Sequence, residues 1–189
     1  GSMAAVQIRL GLDASGPYLA TALWSPERGP LATRATRLER DHAARFVPEL
    51  EALLAEAGVT RDRLAAITVG VGPGSYTGLR VGIAAARGLA TGLGLPLGGV
   101  DSPALIAWGA LAPGETGLAG LDARRGNVYA GLYRRDGDDL VTLAPPAKRP
   151  RDAVRAAHPD ARWLEGLAPD ARWAAMRPPG RGDTTAVYL

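Results

Sequence analysis

The sequence predicts an α/β protein of two related lobes, the second smaller than the first. Strand-like and helix-like apolar spacings alternate in the order expected of a mixed sheet with crossover helices. A strand-turn-strand segment recurs in the second half: Gly11-Leu12-Asp13-Ala14 returns as Gly120-Leu121-Asp122-Ala123. Between the two copies, Ala112-Pro113-Gly114 supplies a natural hinge.

Val6 to Asp13 alternates and runs apolar, Tyr18 to Trp24 follows the Ser15-Gly16-Pro17 turn, and Leu31 to Leu38 follows Gly29-Pro30, which reads as a three-stranded meander. Phe46, Leu50, Leu53, Leu54 and Ala57 then share one face at helical spacing, with Asp41 as the expected N-cap, Gly58 as the stop and Pro48 as the site of a kink or break. Leu64 to Val71 is a buried strand, Leu79 to Leu93 a second helix closed by Gly94 and Pro96, and Leu97 to Val100 another strand. Ser102 and Pro103 open a third helix to about Leu111.

Past the hinge, an ungapped alignment sets Leu19, Leu23 and Trp24 against Val128, Leu132 and Tyr133. From Pro145 onward, Pro- and Arg-rich sequence with one helix at Arg151 to Ala157 leaves less room for a full repeat. The expected division is residues 3–111 for the first lobe and 112–189 for the reduced one, Gly1 and Ser2 reading as the remnant of a cleaved tag. A duplicated meander with crossover helices, an Asp ending each first strand, is the architecture of the actin, sugar-kinase and Hsp70 class, ribonuclease-H-like in each lobe.

Composition narrows the function. With 189 residues and 47% hydrophobic side chains, the chain suffices for one core or two small ones. The lack of cysteine excludes disulfide scaffolds, thiolate metal sites and cysteine nucleophiles. No apolar run is long enough to span a membrane and no secretory layout opens the chain, so a cytoplasmic location is expected. The net charge of +3 is small and spread along the sequence, nearly all its cations being arginine with Lys148 the sole lysine, so direct nucleic-acid binding is not the leading expectation, and tRNA binding through the scattered arginines stays open as a weaker alternative.

In this fold class, two Asp-ended hairpins face each other and cradle the phosphates of ATP, with small residues letting backbone amides approach. Asp13-Ala14-Ser15-Gly16 keeps small residues, whereas Asp122-Ala123-Arg124-Arg125-Gly126 puts two arginines in the second turn. Those arginines are either phosphate ligands or solvated turn residues. The run Gly70 to Arg80 joins a strand to a helix, as phosphate loops do, but no lysine follows its glycines and Thr77 stands where a dinucleotide motif needs its third glycine. Ser75 and Thr77 are available to cap the helix instead.

On that helix Gly78, Gly82, Ala86, Ala90 and Gly94 recur every four residues, leaving one stripe nearly bare. Either the sheet or first helix of its own lobe packs there, or another subunit does, with Arg80, Arg87 and Thr91 as a polar rim. His42 and His158, the only histidines, lack a second ligand at helical spacing, so no metal site is expected. Ser75 with His42 is an imaginable pair, but nothing resembles a nucleophile elbow.

The segment Gly72-Pro73-Gly74-Ser75-Tyr76-Thr77-Gly78-Leu79-Arg80, continued by Gly82-Ile83-Ala84, Gly88-Leu89-Ala90 and Gly94-Leu95-Pro96, resembles the signature of the TsaB (YeaZ) family. Leu12-Asp13-Ala14-Ser15, Asp41-His42 leading into Val47-Pro48 and Leu53-Leu54, and Asp122-Ala123-Arg124 with Gly126 and Val128-Tyr129 agree in order. The resemblance covers Leu10 to about Tyr133, with Val187-Tyr188-Leu189 similar to the family's closing segment.

The resemblance implies an actin-like, non-catalytic scaffold subunit of the machinery that places threonylcarbamoyladenosine beside the tRNA anticodon. It implies pairing with TsaD, the catalytic paralogue, and TsaE, an ATPase, self-association as a homodimer when alone, and contact with tRNA only through the complex. No catalytic residue, cofactor or metal is then expected. Because the family associates through its first-lobe helices, the resemblance assigns Gly78, Arg80, Gly82, Ala86, Arg87 and Ala90 to a subunit interface, beside the signature loop Gly72, Pro73, Gly74, Ser75, Tyr76 and Thr77. Ala14 stands where the family usually has Thr, and Tyr76 where Phe is commoner. A free-standing ATP-dependent kinase or phosphotransferase of the same fold is the alternative.

Overall fold

In the computed structural model, which describes residues 6–38, 40–74 and 76–188, the first three strands form the predicted meander. Strands β1 (Ile8–Asp13), β2 (Tyr18–Ser25) and β3 (Gly29–Arg37) pair antiparallel, and β4 (Leu64–Gly70) and β5 (Leu97–Val100) extend the sheet in parallel, giving the order β3-β2-β1-β4-β5. Parallel neighbours require crossover helices. These are α1 (His42–Ala57) and α2 (Tyr76–Leu93), whose apolar faces close the main core.

Side-chain size differs between the two faces of this sheet. Ile8, Leu10, Leu12, Leu19 and Leu23 point into the core under α1 and α2, while Ala20 and Ala22 meet Ala171 on the other side. That second face receives the short helix α5 (Arg172–Met176) at backbone distance: a Cβ on Gly11 would land on the Ala171 carbonyl and lie 2.6 Å from the Ala175 nitrogen. Gly11→Ala is therefore expected to push α5 off the sheet and lower stability by about 2 kcal/mol, seen as a lower thermal midpoint.

The α1 stop is as expected, with Gly58 at φ 66 and its N–H on the Ala55 and Leu54 carbonyls. Asp41 stands at the N-cap position as expected, but it lies in the left-handed region at φ 68 and its side chain makes no capping bond. Pro48 is accommodated within one continuous helix. Buried Glu49 anchors α1 to β3, accepting from Arg34 Nε (3.1 Å) and Thr36 Oγ1 (2.9 Å), with Arg45 Nη2 at 3.2 Å.

The second sheet repeats the pattern. Strands β6 (Thr116–Asp122), β7 (Asn127–Asp136) and β8 (Asp139–Pro150) form an antiparallel meander and β9 (Arg162–Glu165) pairs parallel with β6, giving β8-β7-β6-β9. Its crossover helix, α4 (Arg151–Ala157), has 7 residues against 16 in α1, which is the reduction expected. The two hairpins differ in length: Asp13 pairs with Ala20, but Asp122 pairs with Val128, one residue sooner. The ungapped alignment is thus out of step past the turn, and Leu19 corresponds to Asn127, not Val128. Pro145 and Pro146 do not end the sheet. They occupy the edge strand opposite Gly131, where the register shifts between Ala130 and Leu132 and missing N–H groups leave no gap in the ladder.

Helix α3 (Ser102–Ala110) joins the lobes. Asp101 caps it, its carboxylate accepting from the Ala104 N–H at 3.1 Å, and Leu105, Ile106 and Trp108 pack with Leu121, Tyr133 and Trp173 in the second core. Residue 112 therefore marks the change of sheet but not of core: α3 contributes to the second lobe, and α5 returns to the first. Tyr133, fully buried on β7, donates its hydroxyl proton to Asp101 Oδ2 at 2.5 Å, and loss of water around both groups raises the pKa of each.

Candidate functional site: the cleft between the lobes and the groove between two helices

Between the lobes lies a cleft of about 860 Å³ bordered by the Ser15-Gly16-Pro17 turn, His42, Gly74, Thr77, Asp122, Arg124 and Tyr129. The two hairpin aspartates do not form a pair within it. Asp13 has no exposed surface: its Oδ2 accepts from the Ser15 N–H (3.2 Å) and Ser15 Oγ (2.7 Å), its Oδ1 from Ser102 Oγ (2.6 Å), and Ser102 Oγ in turn accepts from the Gly72 N–H (2.9 Å). Burial raises its pKa despite those donors. Asp122, exposed on the opposite lip, is held by Arg151 at 3.0 Å, and Arg151 also grips Glu165 at 2.6 Å. Among the described residues, no three His, Asp or Glu side chains come together to hold a metal ion.

Gly70 at the end of β4 and the glycines of the signature loop are used inside the lobe. A side chain on Gly70 would strike Asp13 Oδ1, one on Gly74 would strike the Ser15 carbonyl, and one on Gly72, at φ 91, would lie 2.8 Å from Leu79 and 3.0 Å from the Val187 carbonyl. Their bareness lets the hairpin, the loop and the returning C-terminal segment pack backbone to backbone. Pro73 is buried in the same loop and Thr77 faces the cleft. The structure of Ser75 lies outside the described residues, as does the side chain of Tyr76, and with Ser75 the Ser75–His42 pair. His42 itself opens α1, its Nε2 at 3.2 Å from the Gly16 carbonyl.

The small-residue stripe on α2 faces inward. Gly78 and Gly82 are buried, Ala86 and Ala90 belong to the main core, and a Cβ on Gly82 would stand 3.1 Å from that of Ala14. These four therefore seat α2 on its own sheet and hairpin and present nothing to a partner; a bulkier Thr at position 14 would crowd Gly82. Arg80 and Arg87 are exposed, but Arg87 donates to the Thr184 carbonyl at 3.1 Å and clips the C-terminal segment. That segment is pinned further by the Gly99 N–H on the Arg181 carbonyl (2.9 Å) and the Val187 N–H on the Val71 carbonyl (2.8 Å).

The outward face of α2 carries a second run of small and apolar residues that sequence reasoning passed over: Val81, Ala84, Ala85, Gly88, Leu89 and Gly92. With Ala43, Phe46, Val47 and Leu50 of α1 they line an open groove of about 750 Å³. Val47 at its rim is 52% exposed and Leu93 36%. The signal was present, since Ala84, Gly88 and Gly92 also recur every four residues. Periodicity identifies two bare stripes without saying which one the sheet covers.

A family model described as "TsaD: tRNA N6-adenosine threonylcarbamoyltransferase" matches residues 36–179. The tRNA threonylcarbamoyladenosine biosynthesis protein TsaB of Escherichia coli (strain K12) is 37% identical over 129 residues, covering 67% of this chain and 55% of that protein. The protein of the same name from Bacillus subtilis (strain 168) is 36% identical over 140 residues, covering 72% and 59%. The chain thus spans little more than half the length of these curated relatives. A solved structure, YeaZ from Pseudomonas aeruginosa, superposes with a TM-score of 0.79 at 27% identity, covering 97% of this chain and 100% of that one. Two sheets of repeated topology, the signature loop in place and these matches agree: the chain belongs to the TsaB (YeaZ) family.

Proposed function

We propose that this chain is a non-catalytic subunit in the formation of threonylcarbamoyladenosine on tRNA, docking a TsaD-type catalytic partner through the groove between α1 and α2. TsaE, an ATPase, joins that assembly, and a second copy of the chain covers the groove when the partner is absent. The observation that carries the reading is the groove itself: eleven of its twelve lining residues are apolar or glycine, Arg61 being the exception, and contiguous apolar surface of this kind marks a protein contact. Co-expression with a TsaD-type protein tests it. A stable heteromeric complex is expected by size-exclusion chromatography, and separate elution of the two chains would overturn it.

The kinase alternative draws on the two Asp-ended hairpins. Against it, Asp13 is fully enclosed by Ser15 and Ser102, and Asp122 is neutralised by Arg151. Neither is then placed to hold magnesium at a triphosphate. Calorimetry of the isolated chain with ATP and magnesium is expected to show no saturable heat; micromolar binding would favour the kinase.

A further inference from the structure

Cations that are scattered in sequence converge at one corner of the second lobe. Arg124 and Arg125 form the β6–β7 turn, both in the left-handed region at φ 67 and 54, ahead of Gly126 at φ 77. Strand β8 passes beside this turn, with Lys148 opposite Tyr129, Arg149 opposite Val128, and the Arg151 N–H on the Gly126 carbonyl at 2.9 Å. All four cations are exposed, and none forms an ion pair among the described residues. The nearby acids are Asp122 and Glu165, both held by Arg151, and Asp152, so the corner keeps a positive excess. At the other end of the same sheet the β7–β8 turn exposes Asp136, Asp138 and Asp139 beside Arg134 and Arg135, with Arg135 at 3.8 Å from Asp138, so the charges there are mixed. Ten residues of β7, about 30 Å of strand, separate the two turns.

The positive corner adjoins planar surface. Leu121, Tyr129 and Lys148 stand opposite one another on three neighbouring strands and so share a face. Leu121 and Tyr129 line the cleft, together with Arg124 of the same hairpin and Tyr188 of the C-terminal segment. Cations at a rim above an aromatic-lined cleft match a single-stranded or looped nucleic acid, whose phosphates follow the charges while bases stack on the rings. An acidic protein surface or lipid headgroup would use the charges but has no need of the rings.

We infer that this corner, Arg124, Arg125, Lys148 and Arg149 with the adjoining Tyr129 cleft, is a direct RNA-docking surface of the chain. The inference rests on the reading that the chain serves a tRNA-modifying assembly, and it differs from the expectation that RNA is reached only through partners. Because the surface lies on the second lobe and the helical groove on the first, one chain can hold RNA and partner together.

Fluorescence anisotropy with a labelled anticodon-arm RNA hairpin tests it on the full chain. Three double variants each remove two charges: Arg124→Asn/Arg125→Asn, using a residue that tolerates the left-handed region, Lys148→Gln/Arg149→Gln, and Arg28→Gln/Arg63→Gln on exposed sites of the first lobe. Wild type is expected to bind at about 50 mM salt and to weaken steeply as salt rises. Each corner variant should lose about tenfold in affinity and flatten the log–log salt slope by about 1.5, while the first-lobe variant binds as wild type. Absence of wild-type binding, or equal loss in all three variants, would overturn the inference. So would equally tight, corner-dependent binding to phosphatidylglycerol vesicles. Each variant is also tested for capture by the TsaD-type partner. Loss of RNA binding with capture retained supports the RNA surface, whereas loss of both assigns the corner to protein contact and refutes it. A wild type that binds RNA but captures no partner refutes the proposed function alone.

Discussion

Gly88→Arg is expected to leave the chain folded and to abolish its capture by a TsaD-type partner. Gly88 sits on the exposed face of α2 at the groove, and an added Cβ there meets nothing within 4 Å. The backbone is helical, so replacing glycine removes a residue that costs a helix interior about 1 kcal/mol. The thermal midpoint should hold or rise slightly. In the complex, the same guanidinium would be driven into an apolar contact without a counter-ion, and an unpaired buried charge costs several kcal/mol. Three kcal/mol is more than a hundredfold in affinity. Co-purification should fall below detection, and threonylcarbamoyl transfer by the reconstituted assembly should fall with it. Undiminished capture by a folded Gly88→Arg protein would place the partner elsewhere.

Gly82→Arg, the substitution that the bare stripe first invites, would not make this distinction. Gly82 faces the Ala14 hairpin inside the lobe, so an arginine there would unseat α2 and remove association by unfolding. Only a position that is bare and outward separates docking from folding.

The difference between those two glycines shows what the sequence could convey. Strand and helix spans were legible because their apolar spacing is local: α2 and α4 end, and β5 begins, where Gly94, Ala157 and Leu97 suggested. The fold class was legible because the Asp-ended hairpin recurs. Facing was not. Two four-residue periods run along α2, and the hairpin residue Ala14, which chooses between them, lies more than sixty positions earlier. The N-cap position at Asp41 was legible, but its left-handed backbone and the lack of a side-chain capping bond were not. The hairpin slip between the repeats is a single residue, too small for composition to register. The basic corner also needed the fold: positions 124–125 and 148–149 become neighbours only through the β7–β8 register.

Asp13 is expected to matter for stability, with a pH signature that separates it from a catalytic acid. Its carboxylate joins β1 to the start of α3 through Ser102 and, through the same hydroxyl, to the Gly72 amide of the signature loop. Asp13→Ala would strand the Ser102 hydroxyl proton and the Ser15 N–H in a dry interior, at about 1–3 kcal/mol for each buried group. Gly70→Ala attacks the same link from the neighbouring strand, since its Cβ would overlap Asp13 Oδ1 and stand 2.8 Å from Ser102 Oγ. Strand β4 lies between β1 and β5 and cannot retreat, so a loss of about 3 kcal/mol is expected. In an Asp13→Ala background the obstructing oxygen is gone and Gly70→Ala should cost far less, a coupling that a double-mutant cycle in urea would read directly. The isosteric Asp13→Asn isolates the charge. Because burial raises the folded-state pKa of Asp13, its contribution to stability is fully present below the unfolded carboxylate range and is lost as pH rises through the folded value. The Asn variant keeps the shape without that loss. Its stability relative to wild type should therefore improve as pH is raised from the carboxylate range, about 4, to neutrality. A difference that shrinks over that interval would mean that the ionised carboxylate is the better guest, and that Ser15 and Ser102 outweigh the water it gave up.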